Sequence, residues 1–382
     1  MAIVGAGITG LTLAAALRRA GIECAVYEKA TAFTAVGAGI QLAPNAVGLL
    51  HRLGLADRLA AVAVRSSAIE MRDGHTGGVV SRIPLDDCET LFGAPYYLLT
   101  RADLHAILAS SIPAGIVHLG KECLSVDEDS DGAEIRFTDG TSVRADVVVG
   151  ADGIHSAVRQ GRLRDQPVYS GFSAYRGLVL AEALPSSFTE PKSVLWTGTG
   201  KHVVCYPVAA GRMVNFVATV PVAEWHAESW SEQGEVEDLV AAFAGWHDDV
   251  RTLFRGAGAV TRWAVHAREA GPRWSTDRTT LAGDAAHPML PFLAQGANQG
   301  VEDALALAAA LSQDGHDVSI ALKTYELARQ ERTLQVQQLS KTIVETFHQT
   351  DAAEQRDGGT DSTFRVMSWL FGHDAESLTA DS

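Results

Sequence analysis

Apolar and polar positions change period along this chain, and the changes mark its layers. Residues 2–4 form a short apolar run, residues 11–20 read as an apolar helix stopped by Gly21, and residues 24–28 form a second apolar run. The chain therefore opens on a β-α-β unit. A second glycine turn, Gly37-Ala38-Gly39, precedes a helical stretch from Asn45. Residues 67–72 and 79–84 flank a polar turn and predict a hairpin. Arg101 opens a helix over 102–111, and strands follow at 117–119, 123–128, 133–137 and 146–150.

Between 167 and 270 the pattern is different. Strands are expected at 174–180, 193–197, 202–208, 213–220 and 260–265, with one helix at 235–243. Strands in series predict a separate sheet-rich layer rather than further β-α-β units. The opening pattern returns with a strand at 279–282 and a helix over 299–311. A long helix at 320–349, a polar linker at 351–362 and an apolar tail at 366–371 close the chain. The domains implied are 1–66, 96–166 and 271–320 together, 67–95 with 167–270, and a helical segment 321–382.

Composition narrows the function. Thirty-one basic against 46 acidic residues give a net charge of −15, which excludes a nucleic-acid binder and an anionic membrane surface as partner. The 36 glycines in 382 residues exceed the usual ~7%. The four cysteines, Cys24, Cys88, Cys123 and Cys205, have neither zinc-ligand nor redox-pair spacing, so no metal is expected. They read as reduced thiols of a cytoplasmic protein. No secretory signal or ~18-residue apolar span is visible. The short run before Gly5 predicts a few further residues upstream.

Gly5-x-Gly7-x-x-Gly10 follows a strand and opens a helix. In that context Gly5 permits the tight turn, Gly7 admits a pyrophosphate and Gly10 lets helix and strand pack closely. The helix N-terminus offers free N–H groups to the phosphates. Glu28, with Lys29 beside it, ends the second strand 18 residues beyond Gly10, where a carboxylate can accept from a ribose 2′-hydroxyl. Glu28 argues against a 2′-phosphate, so the turn predicts FAD or NAD and does not separate them.

Two later segments do. One is Val147-Val148-Val149-Gly150-Ala151-Asp152-Gly153, followed by His155, Ser156 and Arg159. The other is Thr279-Thr280-Leu281-Ala282-Gly283-Asp284, followed by His287-Pro288. In order and spacing the three motifs resemble those of the class A flavoprotein monooxygenases, the para-hydroxybenzoate hydroxylase family, from Ile3 to about Ser340. The resemblance implies an α/β fold with a Rossmann-like FAD-binding domain and an inserted sheet-rich substrate domain. It implies tightly bound, non-covalent FAD, NADH or NADPH as a transient reductant, and O2 as co-substrate. Asp284 with Gly283 would hold the flavin's ribityl or ribose hydroxyls. Gly296, Ala297 and Asn298 would present a helix N-terminus to the flavin. Arg101 would reach FAD, and Asp152 would brace the loop. Looser likenesses at Gly37 to Asn45 (including Gln41), Tyr169-Ser170-Gly171, His202 to Tyr206 and His287-Pro288-Met289 resemble the 6-hydroxynicotinate 3-monooxygenases, 3-hydroxybenzoate 6-hydroxylases and salicylate hydroxylases.

His202 and Tyr206 are four residues apart on one strand, so both face the same way, ~13 Å apart along it. In those relatives a histidine and a tyrosine at these positions face the substrate. The implied reaction is hydroxylation of a small hydroxyl- or amino-bearing aromatic through a flavin C4a-hydroperoxide. His202 would act as base toward the phenol and Tyr206 would hydrogen-bond or relay the proton. Val217, Pro288 and Phe292 would line the pocket. Pro291 and Phe292 stand where two of those relatives carry polar residues, so a larger or less polar aromatic fits at least as well. The glycines at 37–39 and Gly296-Ala297 would leave room for flavin movement. An FAD oxidoreductase without oxygen insertion and a non-catalytic flavin-binding subunit stay open, as do a monomer and a homodimer.

Overall fold

The computed structural model describes residues 1–33, 38–161, 163, 165–222, 232–269, 271, 273–313, 317–349 and 360–378. Five parallel strands form the first sheet, in the order Thr279–Leu281, Val148–Gly150, Ala2–Val4, Ala25–Glu28, Val117–Leu119. Ala2, Ile3, Val4, Val148 and Val149 are buried because both faces of a parallel sheet are covered. Helices Ile8–Arg19 and Gly296–Leu311 pack together over one face, joining a core with Ile135 and Phe137 of the antiparallel strand Gly132–Phe137.

The second sheet has eight strands. Their order is Glu232–Gly234, Val260–Ala267, Val168–Leu180, Met213–Pro221, Lys201–Val208, Lys192–Gly198, Ala68–Asp73, Val79–Pro84. The early hairpin thus joins the later strands, Ala68–Asp73 pairing in parallel with Lys192–Gly198. One face of this sheet packs Val203, Cys205 and Phe216 against Phe243, Trp246, Leu253 and Phe254. The opposite face carries the alternate residues and turns toward the first domain.

Several elements differ from the expectations. Helix Asp248–Arg255 was not predicted, although it buries Val250, Leu253 and Phe254 along one stripe. The last helix of the nucleotide domain begins at Gly296, not 299. Its two glycines are poor helix formers, but packing overrides this: a side chain on Gly300 would come within 2.2 Å of Thr9 Oγ1. The strand expected at 174–180 extends over Val168–Leu180, with a register shift between Tyr169 and Ser173. The stretch read as a glycine turn contains a strand, Gly39–Leu42, in a small antiparallel sheet with Tyr97–Thr100 and Val64–Arg65. Within the expected polar linker, residues from Thr360 belong to helix Thr360–Phe371, and 351–359 lie outside the described residues. Leu370 and Phe371 are buried, Phe371 edge-on to Phe92 and Tyr96.

Candidate active site

The three motifs converge at the carboxyl ends of adjacent strands, where open α/β sheets bind ligands. Gly5 has φ +103°, and a side chain on it would strike Ala151 O at 2.4 Å. A side chain on Gly10 would strike Gly5 O at 2.0 Å. Gly7 faces open space, with nothing within 4 Å of where a side chain would begin. The helix behind it, Ile8–Arg19, has no side-chain cap and no acidic residue in its first turn, so its N–H groups suit an outside anion. Glu28 closes the turn from the next strand. Its Oε2 accepts from Ala6 N at 2.8 Å and its Oε1 from Ala30 N at 2.9 Å. Lys29 is exposed.

Asp284 combines two properties that rarely coincide. It is solvent-accessible, yet the surrounding protein pushes its carboxyl above the usual range. A carboxylate that is enclosed but still reachable lines a cleft. His287 and Arg101 partly offset the burial, and Asp303 adds to it. The Asp284 Oδ1 lies 3.8 Å from the position a Gly296 side chain would occupy. That glycine starts a 16-residue helix with no side-chain cap, whose dipole favours negative charge in the cleft. Arg101 is the first residue of helix Arg101–Ala109, which Thr100 caps by accepting from Asp103 N at 2.9 Å. We expect Asp284→Asn to weaken FAD retention about 10- to 100-fold, the worth of one or two hydrogen bonds to a charged group. Flavin content after gel filtration, with unchanged secondary structure by circular dichroism, checks this.

Other expected residues have structural duties. Asn298 is fully buried. Its Oδ1 accepts from Ala43 N at 2.9 Å, and its Nδ2 donates to Gln41 O at 3.1 Å and Ala294 O at 2.8 Å. Its side chain thus braces strand Gly39–Leu42. Gln41 Oε1 accepts from Tyr96 OH at 3.0 Å. Asp152 Oδ2 accepts from Ala157 N at 2.8 Å, while Ser156 caps the short helix Ala157–Gln160. Gly39 is required by a contact within the protein. Its N donates to Asn215 Oδ1 at 2.7 Å, and a side chain there would lie 2.5 Å from Asn215 Cγ. Gly37 lies outside the described residues. Ala297 is half-buried in the first turn of its helix.

The second sheet carries the residues expected to meet the substrate. His202, Val204 and Tyr206 alternate with Val203 and Cys205, so the histidine and tyrosine do share a face. His202 is 3% exposed and meets the Phe292 ring edge-on at 5.2 Å. Tyr206 packs with Tyr96, Leu98 and Val336, and burial pushes its phenol up. Val217 and Phe292 pack against Trp263 and Leu290. Pro288 is buried, its carbonyl accepting from Gln337 Nε2 at 2.7 Å.

Sequence reasoning missed the network beneath Asp284. Asp303 Oδ2 accepts from Gly283 N at 2.7 Å and pairs with His287 Nε2 at 2.5 Å. Its Oδ1 accepts from Arg329 Nε at 2.8 Å. Glu302 binds Arg329, Arg332 Nε at 2.8 Å and Asn45 Nδ2 at 2.6 Å. Burial raises both carboxyls, but their cations outweigh it: His287 and Arg329 hold Asp303 below its ordinary value, and Arg329 and Arg332 hold Glu302 well below. The available signal was an acidic pair inside the Ala/Leu-rich stretch 301–311, facing an Arg-x-x-Arg spacing at 329 and 332.

Residues 1–340 match the family model described as FAD binding domain. The chain belongs to this FAD-binding domain family. The flavoprotein is 46% identical to a 3-amino-4-hydroxybenzoate 2-monooxygenase of Streptomyces cremeus, over 98% of this chain and 95% of the relative. It is 36% identical to a 6-hydroxynicotinate 3-monooxygenase of Bordetella bronchiseptica, over 89% and 90%. Among solved structures, Klebsiella pneumoniae HpxO complexed with FAD and uric acid superposes with a TM-score of 0.86 at 29% identity, over 96% of this chain and 95% of that one. The fold is that of the para-hydroxybenzoate hydroxylase group. The flavoprotein is an FAD-dependent aromatic monooxygenase. No described helix is long and apolar enough to cross a membrane.

Proposed function

We propose that this monooxygenase hydroxylates an amino- or hydroxy-substituted benzoate of the 3-amino-4-hydroxybenzoate type, using NADH. The observation that carries this reading is the sheet face bearing His202 and Tyr206, set opposite the strand ends that hold Asp284. The relative at 46% identity, named for that substrate, supports it. FAD held there would supply the chemistry: two electrons from the nicotinamide nucleotide and an electrophilic oxygen from O2, the second oxygen atom leaving as water. Gly5, Gly7, Gly10 and the first helix would hold its pyrophosphate, Glu28 a ribose, and Asp284 further hydroxyls, with Arg101 alongside. His202 accepts the phenolic proton, which makes the ring more nucleophilic. Tyr206, buried and neutral, hydrogen-bonds the substrate or relays the proton. Phe292 and Val217 close the pocket and keep water from the reacting centre. The four cysteines are free, which suits the cytoplasm.

A screen of NADH oxidation tests this. 3-Amino-4-hydroxybenzoate or a close hydroxybenzoate should stimulate the rate, and the product should carry one atom from labelled O2. Oxidation that no aminobenzoate or hydroxybenzoate stimulates, or product without the label, overturns the reading.

A further inference from the structure

Arg176 lies on strand Val168–Leu180 and pairs across the sheet with Val217, which pairs in turn with Val204. Paired residues project from the same face, so Arg176 rises beside His202 and Tyr206, about 10 Å or two strand spacings from Val204. Its guanidinium lies 3.9 Å over the Trp263 ring. Trp263 belongs to the cluster that holds Val217 and Phe292, and Phe292 touches His202. Arg176 is thus continuous with the pocket wall.

Apart from the Trp263 ring, its charge has no counter-ion among the described residues. Arg176 forms no ion pair among the described residues, and its buried Nε has no hydrogen-bond partner there. Burial pulls the guanidinium down to about 10, Tyr206 offsets part of that, and Arg101 adds like-charge repulsion. Arg176 is half-buried, whereas the fully buried arginines are all paired: Arg159 and Arg268 share Asp165, and Arg329 and Arg332 share Glu302. A half-buried guanidinium with no counter-ion is placed to take its anion from a ligand.

We propose that Arg176 receives the carboxylate of the aromatic substrate and selects carboxylated rings. The inference rests on the cleft being the aromatic site proposed above. With the carboxylate on Arg176 and the phenol toward His202 and Tyr206, the ring is held at both ends across the flavin-facing cleft. The planar guanidinium fork suits a carboxylate better than a point charge does. It also supplies the polarity that Pro291 and Phe292 remove from the facing loop.

The test is equilibrium binding to the oxidised holoenzyme, followed by perturbation of flavin absorbance, so it needs no turnover. The probes are 3-amino-4-hydroxybenzoate and its carboxamide. The wild type should bind the acid about 10- to 100-fold more tightly than the amide. Arg176→Gln should abolish that preference while the amide affinity, flavin content and flavin reduction potential stay constant. Arg176→Lys should restore only part of it. Four results overturn the proposal: equal wild-type affinity for acid and amide, no wild-type binding of the acid, parallel loss of both ligands in Arg176→Gln, or an unchanged preference with a shifted flavin potential. The last would place Arg176 on the flavin. A wild type that binds the acid selectively but never hydroxylates it overturns the proposed function and leaves this inference standing.

Discussion

Arg329→Met should destabilise the fold by about 3–5 kcal/mol at neutral pH, the usual cost of stranding a buried charge. The substitution removes the cation shared by Glu302 and Asp303, both fully buried. Arg332 still holds Glu302, but Asp303 loses its guanidinium and keeps, among the described residues, His287, Gly283 N and Tyr325. The loss should depend on pH with a definite sign. Glu302 and Asp303 have folded pKa values below their unfolded ones. Their contribution is therefore fully present above the free carboxylate range and lost as pH falls through the lowered folded values. In the variant those folded values rise, so the deficit is widest at neutral pH and narrows below about pH 4.5. Urea unfolding at fixed excess FAD, at neutral and acid pH, measures it. An equal deficit at both pH values would show that lost packing, not stranded charge, is responsible.

The second large effect concerns the reaction. If His202 takes the phenolic proton, His202→Asn should lower kcat by about 10²- to 10⁴-fold, the range for removing a general base. FAD should stay bound, because His202 stands on the second sheet, away from the strand ends that carry Asp284. The loss should shrink at high pH, where the substrate phenol ionises without help. Stopped-flow rates of the oxygenation step across pH check this. A rate deficit that does not change with pH, or loss of flavin, would mark the histidine as a packing residue for Phe292.

The nucleotide turn was legible because its glycines are steric requirements: Gly5 and Gly10 each face a backbone oxygen within 2.4 Å. The shared face of His202 and Tyr206 was legible because strand periodicity is strict. Local pattern could not reveal which polar side chains brace the protein and which face the cleft. Asn298 looked like a flavin ligand but ties down strand Gly39–Leu42. Gly39 looked like room for movement but accommodates Asn215. The carboxylates of Glu302 and Asp303 sit in a helix whose buried face continues almost all the way round, and their arginines are 26 to 30 residues further on. Periodicity cannot see pairs at such separations. Arg176 was hidden for the same reason, since its place beside Val217 and Val204 depends on strand order.

The strict alternation in the central strands has a consequence for how this enzyme changes. Val203, Cys205 and Phe216 pack on one face, whereas Val204, Tyr206, Val217 and Arg176 lie on the other, the face of the proposed site, where Tyr206 also packs with Tyr96 and Leu98. Specificity and folding are thus written on interleaved positions of the same strands. Substitutions confined to every second residue can retune the pocket while the other face keeps its packing. Evolution, or a combinatorial library, can therefore vary this face while the packing of Phe216 and its neighbours on the other stays as it is.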